Sequence, residues 1–185
     1  MKQYSGEEQW TLTVPELVTK IGRQLGAVEE TLDLTGNYDG VVVADIVEVA
    51  PHPNADKLNI YQAFDGQETV QVVSGDRQIQ AGDKVAWIKP GATVPSTWGT
   101  DQPLVLEARP MRGEISNGMF GSGKELAIND DHERVLILDT DAPAGTPFSQ
   151  VYGLDDAIID IENKMFTHRP DLFGNLGVAR ELAGI

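Results

Sequence analysis

The sequence predicts a mainly β protein, a small closed barrel or a sandwich, with α/β pieces on either side of it. Between Gly40 and about Asp139 the apolar residues fall into short strand-like runs. Gly and Pro punctuate those runs at "SGD", "AGDK", "KPGATVP" and "GSGK". Helical patterning is confined to the stretches nearer the two ends of the chain. Many short strands joined by Gly/Pro turns argue for a barrel or a sandwich, and a barrel removes the exposed edges that five or six short strands would leave.

In chain order, "TVPELVTKIGRQLGAVEE" reads as a helix over Val14–Leu25. Thr13 and Glu16 have capping-box spacing, and Pro15 suits a first helical turn. Val14, Leu17, Val18, Ile21 and Leu25 form one apolar stripe, and Gly26 is a C-terminal stop. The strand candidates follow: Val41–Val49, Lys57–Phe64, Thr69–Ser74, Lys84–Ile88, Leu104–Arg109 and Val135–Leu138. Asp65-Gly66 is a hairpin signal between the second and third. After the Pro/Gly-rich connector "LDTDAPAGTPF" comes another strand candidate, Ala157–Ile161. "THRPDLFGNLGVARELAGI" then reads as a turn and a helix, with Asp171 as N-cap and Leu172, Leu176, Ala179 and Leu182 at helical spacing. The expected organisation is an N-terminal helical/α+β piece at 1–39, a β-barrel domain at 40–150, and a return to the flanking piece at 151–185.

The chain has 185 residues, 41% of them hydrophobic, and no cysteine. Disulfides and thiolate metal sites are therefore excluded. No apolar run is long enough to span a membrane, and "MKQYSGEEQW" lacks the pattern of a signal peptide. The expected compartment is the cytoplasm, with no membrane partner. The net charge of −15 works against non-specific attraction to nucleic acid or anionic lipid. Any nucleic-acid binding must come from a local patch.

Three constellations carry candidate chemistry. "HPNADKL", His52 to Leu58, joins the first two strand candidates; its prolines stiffen the connection and Asn54 and Asp56 are turn formers. It is either a rigid corner or a corner that holds Lys57 over a groove. "RPMRGEISNGMFGSGKEL", Arg109 to Leu126, places Arg109, Arg112 and Lys124 in an acidic chain. Ser116 and Asn117 can hydrogen-bond bases or phosphates, Gly118 and Gly121 permit close backbone approach, and Met119 and Phe120 can pack on a base or fill a barrel. "THRPDLFGNLGVAREL" sets a His beside an Arg and an Asp, but Pro170-Asp171 is a helix start and Arg169 can tie neighbouring carbonyls. No Ser-His-Asp spacing, Walker loop or HExxH is present. The acids of "NDDHE" read as a solvated loop, and no metal site is expected.

Taken together, "VVADIVEVAPHPNADKLNIYQAFDG", "AGDKVAWIKPGATVP", "MRGEISNGM" and "KELAINDD" resemble the tRNA-binding OB-fold domain. That domain is shared by EMAP-II-like cytokines, freestanding tRNA-binding proteins, some methionyl-tRNA synthetases and the β subunit of bacterial phenylalanyl-tRNA synthetase. The form of "AGDKVAWIKPGATVP" and the tail "IDIENKMFTHRPDLFGNLGVAREL" are similar to the last of these. The resemblance covers about residues 12–185. It implies a five-stranded OB barrel inserted in a small α+β domain, with tRNA contacts at Lys57, Arg112, Ser116 and Met119 and with Asn117 beside them. The two cations would neutralise phosphates, the hydroxyl and amide would bond sugar or base, and Met119 would contact a base. For a parent enzyme it implies the joining of phenylalanine to tRNA(Phe) with ATP and Mg²⁺, in an α₂β₂ assembly with an α subunit. It implies no catalysis and no cofactor for this segment alone.

The sequence also departs from that pattern. "SGDRQI" stands where the β subunit often carries a Gly-Ala-Pro-Asn-Val-like stretch. Arg109-Pro110 replaces Lys-rich residues, and His168 replaces an Asn. A first strand of the flanking domain is not visible in "MKQYSGEEQW", and both ends read as trimmed from a longer subunit. Three functions compete: an accessory tRNA-contacting module, an architectural module whose RNA binding has decayed, and a freestanding EMAP-II-like tRNA-binding protein. The acidic charge favours the second, and the tail argues against the third.

Overall fold

The structure, a computed structural model, describes residues 12–34, 36–162, 164 and 167–184. The expectation about a missing first strand falls at Met1–Trp10, outside these residues. The chain divides into two compact units, Thr35–Asp155 and a second drawn from Met1–Leu34 and Asp156–Ile185. No helix among the described residues is long and apolar enough to cross a membrane.

The larger unit is organised by one long strand. In chain order, β1 is Val28–Asp33 in the other unit and β2 is Val41–Pro51. The first half of β2, Val41–Asp45, pairs with β5 (Lys84–Ile88), and its second half, Asp45–Pro51, pairs with β3 (Asn59–Phe64). The β2–β3 register shifts between Ile46 and Glu48, a bulge that bends the strand so that it serves both neighbours. With β4 (Thr69–Ser74) and β8 (Met119–Phe120), the order is β4-β3-β2-β5-β8, antiparallel throughout. The sheet then curls until β4 meets the run that leads into β8. Asn117 N–H donates to the Gln71 carbonyl at 2.9 Å, and Val73 N–H donates to Ser116 Oγ at 3.0 Å. A curled five-stranded antiparallel sheet bears out the OB-like architecture that the resemblance implies.

Both faces of β2 and β5 are covered, which explains the continuous apolar run "VAWI". Ala44, Ile46, Val85 and Trp87 point into the barrel with Tyr61, Ala63, Val72, Ile79 and Phe120. Val41, Val43, Ala86 and Ile88 point the other way, against Tyr38, Leu126, Leu138 and Phe148, the last from the short helix α2 (Phe148–Tyr152). Tyr61 and Phe120 meet edge-on inside the barrel with centroids 5.6 Å apart.

Two expected strands differ. Leu104–Arg109 is no strand over most of its length; it returns along 91–94 through single backbone bonds, such as Val94 N–H to Leu104 O, and β6 (Arg109–Met111) begins only at its last residue. Leu104 and Val105 lie exposed there and Leu106 alone packs, half-buried, against the outer core, so the apolar run lacks the continuous buried face that would make a ladder. Val135–Leu138 makes isolated bridges, Val135 to Ser122 and Ile137 to Val85, rather than a paired strand. The β3–β4 hairpin forms as expected, through a loop in which Asp65 Oδ1 accepts the N–H groups of Gln67 and Glu68, each at 3.0 Å.

In the smaller unit, α1 (Val14–Gln24) starts as predicted, with the Glu16 carboxylate accepting the Thr13 N–H at 2.9 Å. The residues after it, "VEETLD", form β1, which pairs antiparallel with β9 (Ala157–Ile161). β1 was not visible in the sequence because it is acidic and mostly exposed. Ile21 and Leu25 pack with Leu172 and Leu182. Asp171 is not the N-cap of the last helix: Pro170–Leu172 is a separate 3₁₀ turn, and α3 (Asn175–Ala183) begins after Gly174. Asp171 instead takes a two-pronged bond from Arg169, at 3.0 and 2.8 Å, and Arg169 also reaches Glu181 at 3.0 Å. Arg169 thus ties carboxylates together, not carbonyls.

Candidate nucleic-acid interface

The corner "HPNADKL" and the segment "MRGEIS" lie more than 50 positions apart in sequence and meet in space. The corner closes on itself first: His52 N–H donates to Leu58 O at 3.1 Å, and Leu58 N–H donates to Ala55 O at 3.1 Å. This loop delivers Lys57, exposed at the surface, to the start of β3.

The other segment is a tight hairpin, β6 with β7 (Glu114–Ser116), in which Met111 faces Glu114. Its two turn residues, Arg112 and Gly113, have φ of 55° and 103°. Positive φ at both central residues suits the right-handed twist of a two-residue hairpin loop. Glycine adopts it freely, but an arginine there costs on the order of 1 kcal/mol. The turn therefore presents Arg112 at its tip at a local cost.

Two corner side chains brace that tip. His52 is 5% exposed, and its ring bridges the two segments. Asn54 N–H donates to Nδ1 at 3.0 Å, so Nδ1 is the bare nitrogen; Nε2 carries the proton and donates to the Met111 carbonyl at 2.9 Å. The Asn54 side-chain amide donates to the Arg112 carbonyl at 3.2 Å. On the hairpin's other side, Gln71 Nε2 donates to Ile115 O at 2.9 Å and to the Glu114 carboxylate at 3.2 Å.

The charges there are free. Among the described residues, Lys57, Arg109 and Arg112 are exposed and enter no ion pair. Two cations of the same unit are spent internally, Lys84 on Asp45 at 2.7 Å and Lys89 on Asp65 at 2.8 Å, while Arg77, Lys124 and Arg134 are exposed and, among the described residues, enter no ion pair. Of the acids in the two segments, Glu114 is held by Gln71, and Asp56 is exposed.

The remaining predicted contacts sit differently. Ser116 is 1% exposed; its hydroxyl accepts the Val73 N–H and donates to Gly118 O, each at 3.0 Å. Asn117 is half-buried; its side-chain amide donates to Gln71 O at 3.1 Å, and its backbone carbonyl accepts the Trp87 indole N–H at 2.8 Å. Both residues use their polar groups to close the barrel. Gly118, with φ of 74°, lets this run pass so close to β5 that a Cβ there would stand 2.1 Å from Ile88 O. Met119 is half-buried and packs against the outer core. The structure thus brings Lys57 and Arg112 onto two joined segments, and it leaves Ser116 behind them in the wall. His52 and Gln71 were missed as bracing residues. "MRGE" carries a signal for the hairpin, Gly at the second turn position, but nothing in the sequence shows what braces it.

A family described as "putative tRNA binding domain" matches residues 41–147, more than half of the chain. The phenylalanine–tRNA ligase β subunit of Geobacter metallireducens is 38% identical over 168 residues, 91% of this chain and 20% of that protein. That of Salinibacter ruber is 39% identical over 173 residues, 85% of this chain and 20% of that protein. The chain thus spans about a fifth of the length of the curated relatives it matches. Among solved structures, a methionyl-tRNA-synthetase-related protein from Pyrococcus horikoshii aligns with a TM-score of 0.41 at 16% identity, covering 57% of this chain and 85% of that one. The chain belongs to the putative tRNA-binding domain family, and along most of its length its relatives are phenylalanine–tRNA ligase β subunits.

Proposed function

We propose that this chain is an accessory tRNA-contacting module of a phenylalanine–tRNA ligase β subunit, and that the corner 52–58 and the hairpin tip 111–114 are its RNA-facing surface. The observation that carries the reading is the convergence of two sequence-distant segments that bear unpaired cations in a chain of net charge −15. Lys57 and Arg112 meet phosphates in this reading, and Met119 lies near a base. Ser116 and Asn117 act by fixing the wall from which the hairpin projects. In the parent protein the partners are tRNA(Phe) and an α subunit in an α₂β₂ assembly, and ATP and Mg²⁺ serve the joining reaction outside this segment. The names of the relatives and the match over 41–147 support this assignment.

The acidic charge sets the expected strength. Few cations face the RNA, so binding is weak and its log–log salt slope is shallow, corresponding to about 2–4 phosphates. Titration of tRNA into the chain at low and at physiological salt tests this. Nanomolar binding at physiological salt contradicts so few contacts. No binding at low salt leaves the architectural reading, which the net charge favours, in its place.

A further inference from the structure

The hairpin has a second face that no RNA contact assigned above uses. Its cross-strand pairs are Arg109 with Ser116, Pro110 with Ile115, and Met111 with Glu114. Side chains alternate across a strand, so Pro110 and Ile115 share one face, opposite to Arg109, Ser116, Met111 and Glu114. Ser116 is buried, Met111 and Glu114 are half-buried, and Glu114 is bonded to Gln71, so their face lies against the barrel. Pro110 and Ile115 face outward, with Ile115 56% exposed. Directly opposed cross-strand side chains adjoin, so the two form one small apolar platform.

An exposed isoleucine alone means little, because folded surfaces carry many apolar atoms. The setting of this one is informative. Arg112 stands at the hairpin tip two residues after Pro110, exposed and without an ion pair among the described residues, and Lys57, also exposed and without one, stands on the adjoining corner. The support is stiff: His52 and Asn54 hold the tip, and Gln71 holds the Ile115 carbonyl. A complementary ligand is anionic at its margins and has a flat apolar face between them. An unpaired nucleotide meets that description. A duplex does not, because its base faces are occupied by their own stack.

We propose that Pro110 and Ile115 form a subsite for one unstacked base of single-stranded RNA, flanked by phosphate contacts from Arg112 at the hairpin tip and Lys57 on the adjoining corner. The inference rests on the RNA-binding reading above and narrows it to unpaired segments, such as a loop or an end. The base contact is apolar, so it contributes affinity that salt does not screen. The flanking cations contribute the salt-dependent part.

The test is a titration of the intact chain with a short unstructured RNA and with the same sequence as a blunt duplex, from low to physiological salt. The wild type should prefer the single strand. Ile115→Thr keeps a β-branched strand residue, so folding is unaffected and its melting temperature should match the wild type. It should weaken single-strand binding about three- to tenfold, leave the salt slope unchanged and leave duplex binding unaltered. Ile115→Val should restore most of the affinity. Arg112→Ala should instead reduce the slope by about 1 with both RNAs. Wild-type affinity of Ile115→Thr for the single strand overturns the subsite and returns the platform to ordinary surface or to a protein-docking role. A duplex bound more tightly than the single strand overturns it as well. If the wild type binds neither RNA, the RNA reading of the whole surface fails first, and this subsite falls with it.

Discussion

The side-chain amide of Asn54 donates to the backbone carbonyl of Arg112 at 3.2 Å, across 58 positions of sequence. A loop between two barrel strands thereby fixes the tip of a distant hairpin. Preorganisation of this kind lowers the ordering cost of binding. Asn54→Ala removes the brace and leaves the exposed carbonyl to water, so stability should fall by about 0.5–1 kcal/mol. RNA affinity should drop by a few-fold, and amide exchange at Gly113 and Glu114 should quicken. Unchanged exchange at the tip, with unchanged affinity, would show that the hairpin holds itself.

Arg112 separates charge from backbone strain. Its φ of 55° is retained in Arg112→Ala, which should melt close to the wild type because an exposed unpaired charge contributes little to folding. RNA binding should nevertheless weaken by about 1 kcal/mol, the scale of one charge-assisted contact. Arg112→Gly loses the same contact but relieves the left-handed conformation, so it should be more stable than the Ala variant by about 0.5–1 kcal/mol. An Ala variant that melts much lower than the wild type would assign Arg112 a structural role.

Ser116 should behave in the opposite way. Its hydroxyl satisfies both the Val73 N–H and the Gly118 carbonyl inside the wall. Ser116→Ala leaves two enclosed backbone groups without partners and should cost about 2–3 kcal/mol in urea unfolding. The folded fraction should still bind RNA within about twofold of the wild type, since no exposed contact is lost. A variant with full stability and reduced RNA affinity would move Ser116 to the RNA-facing side.

The sequence reading succeeded where periodicity and burial coincide. Thr69–Ser74, Lys84–Ile88 and Ala157–Ile161 appear with the predicted bounds, since each has at least one inward side of regular spacing. It failed at "VEETLD", whose strand rests on pairing with β9 and not on its own apolar face. It failed again at Leu104–Arg109, where Leu104 and Val105 lie in the open. For the interface, the motifs marked the right two segments. The roles within them were less legible: a Ser or Asn beside glycines looks alike whether its polar group faces RNA or a neighbouring strand. His52 and Gln71 act through partners 59 and 44 positions away, and no local pattern encodes such a bond.

Asp65 is the residue whose titration should be visible in folding. Its Oδ1 accepts the N–H groups of Glu68 and Gln67, and its Oδ2 accepts the Lys89 ammonium at 2.8 Å. The backbone bond from Glu68 leads, followed by the bond from Lys89, and together they hold the carboxyl at about 2, below its ordinary 3.8. A depressed folded-state pKa means that the charged form stabilises the fold. That contribution is complete above the ordinary value and is lost as pH falls from about 4 towards 2. Its size is on the order of 1–2 kcal/mol, reduced from the full linkage value because Lys89 remains partly in water. The chain has 29 acidic residues, so total acid sensitivity says nothing about one of them. The difference from Asp65→Asn does: the amide oxygen keeps an acceptor for the Gln67 and Glu68 N–H groups, while the NH₂ that replaces Oδ2 gives up the charge and the bond from Lys89. Wild type should exceed the variant by its full margin at neutral pH, and chemical unfolding at descending pH should see that margin close between about 4 and 2. A margin that stays constant down to acid would mean that Asp65 stabilises the turn through hydrogen-bond geometry and not through its charge.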